Sequence, residues 1–404
     1  MSKSFEIRKI RKEERVIASK IQSISFNSGG DFKPLDAEPT KLTKGYENCR
    51  AAFNEEGKMC SCFELIPFEA IFQGSKVKIA GIGGVASLPE ERKTGFIREI
   101  FKASFKEMKE NNQILSFLYP FSHVYYRKFG YEAAMKRSTW RIPLTSFSCF
   151  KSQGKVKMYI PNESRKDIED IYNVFIIDKN MSLVRDDALW DNHIGRDPYK
   201  NNEYTYVWYK DNGEAGSYIT FKAVRRETFN VNMQVKELIW KDKLSLLGIL
   251  GFLKSFVPSY VDFIWEASEF FNLSHLFLEP YDVKLEKSSA GMSRIVDLEK
   301  VLKLYFSSVS KLINSGEITL QVEDTFLDWN KGIYKVSWKA GVVEIYKEDG
   351  IVDISLSIQR LTQLLTGFAD LSDFIYNDDV KILGKYDLLL SVFKKKDVFL
   401  NDYF

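Results

Sequence analysis

Two short stretches in the first third of the chain carry residue types and spacings suited to chemistry. The first is Val85 to Ile97, VASLPEERKTGFI. An apolar run ends at Pro89, the basic pair Arg92 and Lys93 precedes Thr94 and Gly95, and a helical pattern begins at Phe96. Gly95 permits close backbone approach, and the N–H groups of a helix's first turn bind anions with help from the helix dipole. Such a segment suits a ligand that pairs a pyrophosphate with an amide-bearing arm able to line up like a peptide strand. Val85, Ala86 and Ser87 would present the strand, and Arg92, Lys93, Thr94, Gly95, Phe96 and Ile97 the anion site. Taken alone, PEERKTG also reads as an ordinary charged loop, so its context decides. The second stretch, YYRKFGYE, offers three phenols, Tyr125, Tyr126 and Tyr131, around Gly130.

The elements that must position these residues follow from periodicity. FEIRKI alternates like a strand, and Glu13 to Ile24 carries Val16, Ile17, Ile21 and Ile24 at helical spacing. NSGGDFKPLDAEPT, Asn27 to Thr40, is a Gly, Pro and Asp-rich surface loop. Cys49 to Ala86 reads as a meander that feeds the apolar strand Val77 to Val85. A helix from about Gly95 to Asn111 then presents the stripe Phe96, Ile97, Ile100, Phe101, Phe105 and Met108, and a strand at Ile114 to Tyr119 follows.

A second unit opens near Lys155 with another strand and helix. Its strand Val235 to Trp240 precedes an apolar helix from Leu244. Setting Gly248 beneath Gly95 places SLLGIL, Ser245 to Leu250, under RKTGFI, which reads as a degenerate duplication that has lost its basic residues. A third unit has a helix at Leu298 to Tyr305, strands at Gly316 to Glu323, Gly332 to Lys339 and Gly341 to Lys347, and a helix around Ile358 to Phe368. This α+β layout carries no catalytic motif of its own.

Composition narrows the classes. Across 404 residues, 45% hydrophobic and 28% charged residues fit a globular protein of several domains. Lys and Arg number 58 against 55 Asp and Glu, and so thin a net charge makes no case for a nucleic-acid partner. The N-terminus lacks the pattern of a secretory signal, so a cytoplasmic location is expected. Leu244 to Phe256 is too short for a membrane span and reads as a buried helix. Cys49, Cys60, Cys62 and Cys149 form no CxxC pair, and the CxC of Cys60 and Cys62 suits two same-face strand positions, so structural thiols are expected. With three scattered histidines, no metal site is expected.

The order strand, RxxGxx loop, helix, strand, YxxxGY resembles the GNAT superfamily of N-acyltransferases. Within it, VASLPEERKTGFIREIF and YRKFGYE look like the Eis group, and the three-unit length and terminal Phe404 extend the likeness over the whole chain. The resemblance implies tandem GNAT folds, mixed sheets with flanking helices, followed by a sterol-carrier-protein-2-like α+β domain. The corresponding domains are 1–150, catalytic; 151–288, degenerate; and 289–404, sterol-carrier-like. It also implies acetyl-CoA as cosubstrate, a tyrosine as general acid, the chain's own terminal carboxylate as general base, and a homo-oligomer, specifically a hexamer.

Tyr126, four residues before Gly130, matches the acid, with Tyr125 and Tyr131 as competitors. Phe404 matches the base. A free α-carboxylate, with a pKa near about 3.5, needs a water or a desolvated setting to serve as one. Members of this group acetylate aminoglycosides, and a pocket for such polycationic amines should carry carboxylates. Asp31, Asp36, Glu38 and Asp402 are the candidates. Phe26 and Asn27 at the end of the first helix depart from the group and bear on pocket shape. Two other readings stand beside this one: a lipid or hydrophobic-ligand binding protein acting through the third unit, and a peptide or protein N-acyltransferase.

Overall fold

The computed structural model describes residues 5–30, 45–226 and 230–404. Strand β1 (Glu6–Lys9) and helix α1 (Arg15–Phe26) open the chain, followed by β2 (Cys49–Phe53), β3 (Met59–Phe72) and β4 (Ser75–Ser87). Helix α2 (Phe96–Glu110) then returns the chain to β5 (Gln113–Leu118), parallel to β4, as such a crossover requires. All six stripe residues of α2 are buried. In α1 only Ala18 and Ile21 are buried, whereas Ile17 and Ile24 are about half exposed. A 3.6-residue period marks a face, but what covers that face is a tertiary matter.

After α3 (His123–Arg127) and β6 (Glu132–Ala133), β7 (Lys136–Pro143) leaves the first sheet. The second unit contains β8 (Lys155–Tyr159), α4 (Lys166–Ile176), α5 (Asp187–Ile194), α6 (Pro198–Asn201), β9 (Glu203–Tyr209) and β10 (Ala215–Arg225). It continues with β11 (Val231–Trp240), α7 (Lys243–Leu253), β12 (Asp262–Ser268) and β13 (Lys284–Ser289). Strand β14 (Met292–Ile295) then returns to the first sheet. The two seven-stranded sheets have the orders β1-β2-β3-β4-β5-β14-β6 and β13-β7-β12-β11-β10-β9-β8.

Strand β7, which lies within 1–150, pairs with β12 and β13, and β14, which lies within 289–404, pairs with β5 and β6. Alternation identifies a strand but not the distant strand it will join.

The duplication is visible as topology. In each sheet a meander ends in a parallel strand–helix–strand crossover, β4-α2-β5 and β11-α7-β12. Each crossover strand also carries one extra residue against its antiparallel neighbour. The register passes from Cys62↔Ala86 to Glu64↔Gly83 in the first sheet, and from Thr220↔Glu237 to Phe221↔Val235 in the second. A similar shift beside β2 makes Cys60 an extra residue of β3. Cys60 therefore packs on the α2 side and Cys62 on the α1 side, rather than sharing a face. All four cysteines are free thiols.

The third unit comprises α8 (Leu298–Val309), β15 (Ser315–Glu323), β16 (Gly332–Lys339), β17 (Val342–Lys347), β18 (Ile354–Ser357), α9 (Ile358–Thr366), β19 (Val380–Ile382) and α10 (Tyr386–Val392). Its five strands follow the order β17-β16-β15-β18-β19. Tyr305, Phe306, Trp338 and Phe393, all buried, fill its interior. Among the described residues, no helix is long and apolar enough to cross a membrane.

Candidate active site

Strand β4 pairs with β5 only as far as Ile82↔Leu118 and then runs on to Ser87, so the sheet forks there. The extra residue of β4 lies at this fork. Gly84 takes φ +59°, and its carbonyl accepts a hydrogen bond from Gln22 Nε2 at 3.1 Å. Bulges of this kind unpair backbone groups and re-aim a strand, as a site for an amide-bearing arm requires. Ala86 is buried and Ser87 Oγ shares a hydrogen bond with Ser61 Oγ at 2.7 Å, while Val85 is partly buried, so these three present backbone rather than side chains.

Beyond β4, Arg92, Lys93, Thr94 and Gly95 are exposed, and Thr94 Oγ1 closes the loop by donating to the Glu91 carbonyl at 2.7 Å. Gly95, at φ +96°, caps α2 without any side-chain hydrogen bond. The first-turn N–H groups of α2 thus have no side-chain cap and lie next to two cations, an arrangement chemically able to take an anion. Phe96 and Ile97 are buried and anchor the helix, so only their backbone faces the loop.

The second unit treats its matching helix differently. Asp242 caps α7, accepting from both Ser245 N and Ser245 Oγ at 2.8 Å, and pairs with Lys210 at 2.9 Å. Burial pushes its carboxyl up, but Lys210 and Ser245 outweigh that and hold it at about 2. An internal carboxylate therefore already fills the anion position. The helix starts equate Gly95 with Asp242. Gly248, set beneath Gly95 in the sequence alignment, instead lies inside α7, where an added Cβ would come within 2.1 Å of Trp208.

Helix α3 places the tyrosines, its start capped by Ser122 Oγ accepting from Tyr125 N at 3.3 Å. Tyr126 is buried among Phe101, Phe121, Tyr125 and Tyr131, and burial, reinforced by the neighbouring phenols, raises its pKa. Tyr131 is enclosed and its hydroxyl is engaged with Ser116 Oγ at 2.6 Å. Tyr125 is half-buried. Gly130, at φ +82°, has no room for a side chain: a Cβ would meet Arg294 Nη1 at 1.3 Å. Arg294 is itself buried and paired with Asp324 at 2.7 Å.

The C-terminal tail reaches the fork from the opposite face. The Phe404 ring lies 5.0 Å from Phe68 and 5.6 Å from Tyr119, directly over Gly81, where a Cβ would approach it to 2.4 Å. A Cβ on Gly83 would lie 3.7 Å from the Phe404 carbonyl oxygen, so the carboxyl end rests on the glycine strand. Tyr126 belongs to the apolar cluster that holds Ala80, Ile82 and Leu118, whereas Phe404 packs against the one that holds Ile79, Leu115 and Phe117. Alternate strand residues point to opposite faces, so the two groups flank the fork. Phe68, Tyr119, Gly81 and Gly83 were not singled out from sequence. The glycines of GIGG were the available signal, since glycine inside a strand marks close approach by another group.

The Asp402 side chain is 1% exposed, its Oδ1 meets Arg185 Nε at 2.8 Å and His193 Nε2 at 2.9 Å, and the residue also lines the cavity beside the tail. Asp31, Asp36 and Glu38 lie outside the described residues. Phe26 is exposed at the end of α1, and Asn27 caps that helix at φ +52°. Against the tail lies a cavity of about 510 Å³, whose wall includes Arg137, His193, Arg196, Lys236, Glu266 and Tyr403.

Comparison with known proteins agrees with this layout. Residues 6–134 match the family described as an acetyltransferase (GNAT) domain, 182–295 match a second GNAT acetyltransferase family, and 298–399 match a sterol carrier protein domain. No curated protein matches the sequence significantly. Solved structures with the same fold include a GCN5-related N-acetyltransferase from Anabaena variabilis, with a TM-score of 0.84 and 21% identity, covering 99% of this chain and 100% of that one. A protein of unknown function from Enterococcus faecalis, described as a probable N-acyltransferase, gives 0.81 and 21%, covering 98% and 100%. Eis1 from Mycobacterium abscessus gives 0.78 and 16%, covering 99% and 100%.

Proposed function

We propose, from the premise that this chain is an Eis-like acyltransferase with two GNAT domains and a sterol carrier protein domain, that it transfers an acetyl group from acetyl-CoA to a primary amine. The reading rests on one observation: Tyr126 and the Phe404 carboxyl group flank the fork between β4 and β5 from opposite faces.

The residues fit the donor. The uncapped start of α2, with Arg92 and Lys93 beside it, would hold the pyrophosphate, and the unpaired edge of β4 around Val85 would hold the amide-bearing arm. When bound, acetyl-CoA supplies the thioester. Tyr126 would then give its proton to the departing sulfur, and the Phe404 carboxylate would take the proton released by the attacking amine, directly or through a water. Burial keeps the Tyr126 hydroxyl protonated, as an acid must be.

The acceptor is proposed as a primary amine, with aminoglycosides and other polycationic amines as classes to examine. The described wall of the cavity beside the tail sets Arg137, Arg196 and Lys236 against Glu266 and Asp402. Further carboxylates for a polycation would come from Asp31, Asp36 and Glu38. The test is thiol release from acetyl-CoA against a panel of aminoglycosides, polyamines and lysine peptides, repeated with longer acyl-CoA donors. Acetyl-CoA turnover with an amine acceptor is expected. A flat response to every acceptor, or a strong preference for long chains, would overturn the reading.

A further inference from the structure

We infer that the second GNAT unit works as the socket that sets the C-terminal tail in the first unit's site, with Arg185 as its positioning residue. The inference rests on the reading of the Phe404 carboxylate as the base.

The second unit has lost the features that would hold a donor. Asp242 occupies the start of α7, and only Lys241 separates β11 from that cap, where the first unit has the loop Leu88 to Thr94. What its surface binds instead is the tail. Phe399 N donates to the Asn180 carbonyl at 2.8 Å, and the Phe399 ring meets Phe175 of α4 edge-on at 5.2 Å. Asn401 Nδ2 donates to the carbonyl of Lys236, the extra residue of β11, at 3.1 Å, and to Glu237 Oε1 at 2.9 Å.

Asp402 is the innermost contact. Arg185 directs Nε at Asp402 and closes a two-bonded fork on Glu237 at 2.8 and 2.7 Å, its guanidinium carbon 4.0 Å from the Tyr172 ring centre. Tyr218 and His193 complete the network on Glu237 and Asp402. The Arg185, Glu237 and Asp402 side chains are 0–2% exposed, so removing Arg185 leaves two carboxylates buried and uncompensated. Apart from Asp402, every member belongs to the second unit. The tail's position is therefore decided there, while its last residue sits in the first unit.

Two residues separate Asp402 from the end of Phe404, about 7 Å of extended chain, so a shift at Asp402 passes directly to the carboxylate. Misplacing a reacting group by an ångström costs about a hundredfold in rate. Tyr119 and Tyr403 add to the docking, since the Tyr119 hydroxyl donates to the Asp402 carbonyl at 2.9 Å and stacks on Tyr403. They hold the backbone but cannot replace the charge pair.

The test compares Asp402→Asn with wild type. This variant keeps the side chain's size and leaves Arg185 paired with Glu237. It is expected to lose kcat about a hundredfold while the KM for acetyl-CoA moves less than about twofold. Carboxypeptidase, followed by intact-mass measurement, should release Phe404 from the variant and not from wild type. Arg185→Lys keeps the charge but loses the fork, and should fall between the two. Wild-type kcat and full carboxypeptidase resistance in Asp402→Asn would overturn the socket. A chain lacking Phe404 that turns over normally would instead overturn the base reading, and the carboxypeptidase result would still decide the socket.

Discussion

Tyr126 and Gly81 carry the sharpest expectations at the scale of single residues. Tyr126 has the raised pKa of a buried phenol. As a proton donor it should be worth about 10²–10⁴ in rate. Tyr126→Phe should therefore lower kcat by that factor and leave the KM for acetyl-CoA nearly unchanged in the thiol-release assay. An undiminished kcat would remove the assignment. Gly81 is the floor beneath the Phe404 ring, and an added Cβ, 2.4 Å from that ring and 2.8 Å from the Phe68 ring, would force them to shift. Gly81→Ala should expel the tail and abolish transfer, whereas its effect on thermal unfolding should be far smaller. If that variant keeps its activity, the tail does not act where it is seen.

Among the elements, the two crossover helices make the most informative contrast. Helix α2 begins with an uncapped glycine between exposed cations and the fork, while α7 begins with a carboxylate that already accepts from Ser245 N. Lys93→Glu should raise the KM for acetyl-CoA roughly tenfold, since it places an anion beside the helix start where the dipole favours one. Asp242→Ala should cost about 1 kcal/mol of stability, as cap removal does, and leave acetyl-CoA binding untouched. Titration of acetyl-CoA against both variants decides whether the chain has one donor site or two.

Across the whole molecule, the tail joins all three units, and its hold on the second is electrostatic. Burial alone would raise the Glu237 carboxyl, but the Arg185 guanidinium outweighs it and brings the group to about 2, and the same charge lowers Asp402. A carboxylate with a depressed folded pKa stabilises above its unfolded value and loses that contribution as pH falls through the folded one. Tail docking should therefore be intact at neutral pH and fail only as pH drops from about 4 toward about 2. Hydrogen exchange of the C-terminal peptide, read after brief incubation at each pH, measures this. Loosening already near pH 6 would contradict it.

The sequence by itself determined what is local. The α2 stripe, the Val85 to Ile97 segment, Tyr126 before Gly130 and three of the third unit's five strands follow from period and turn chemistry, which neighbours along the chain dictate; the short β18 and β19 do not. The tertiary structure alone decided which sheet β7 and β14 join, that Asp242 rather than Gly248 answers to Gly95, and that Cys60 and Cys62 part to opposite faces. It also decided that Asp402 is a buried anchor whose partner, Arg185, lies far away in the chain. Strand pairing, buried charge and the seat of a tail depend on residues brought together only by folding, and no period records them.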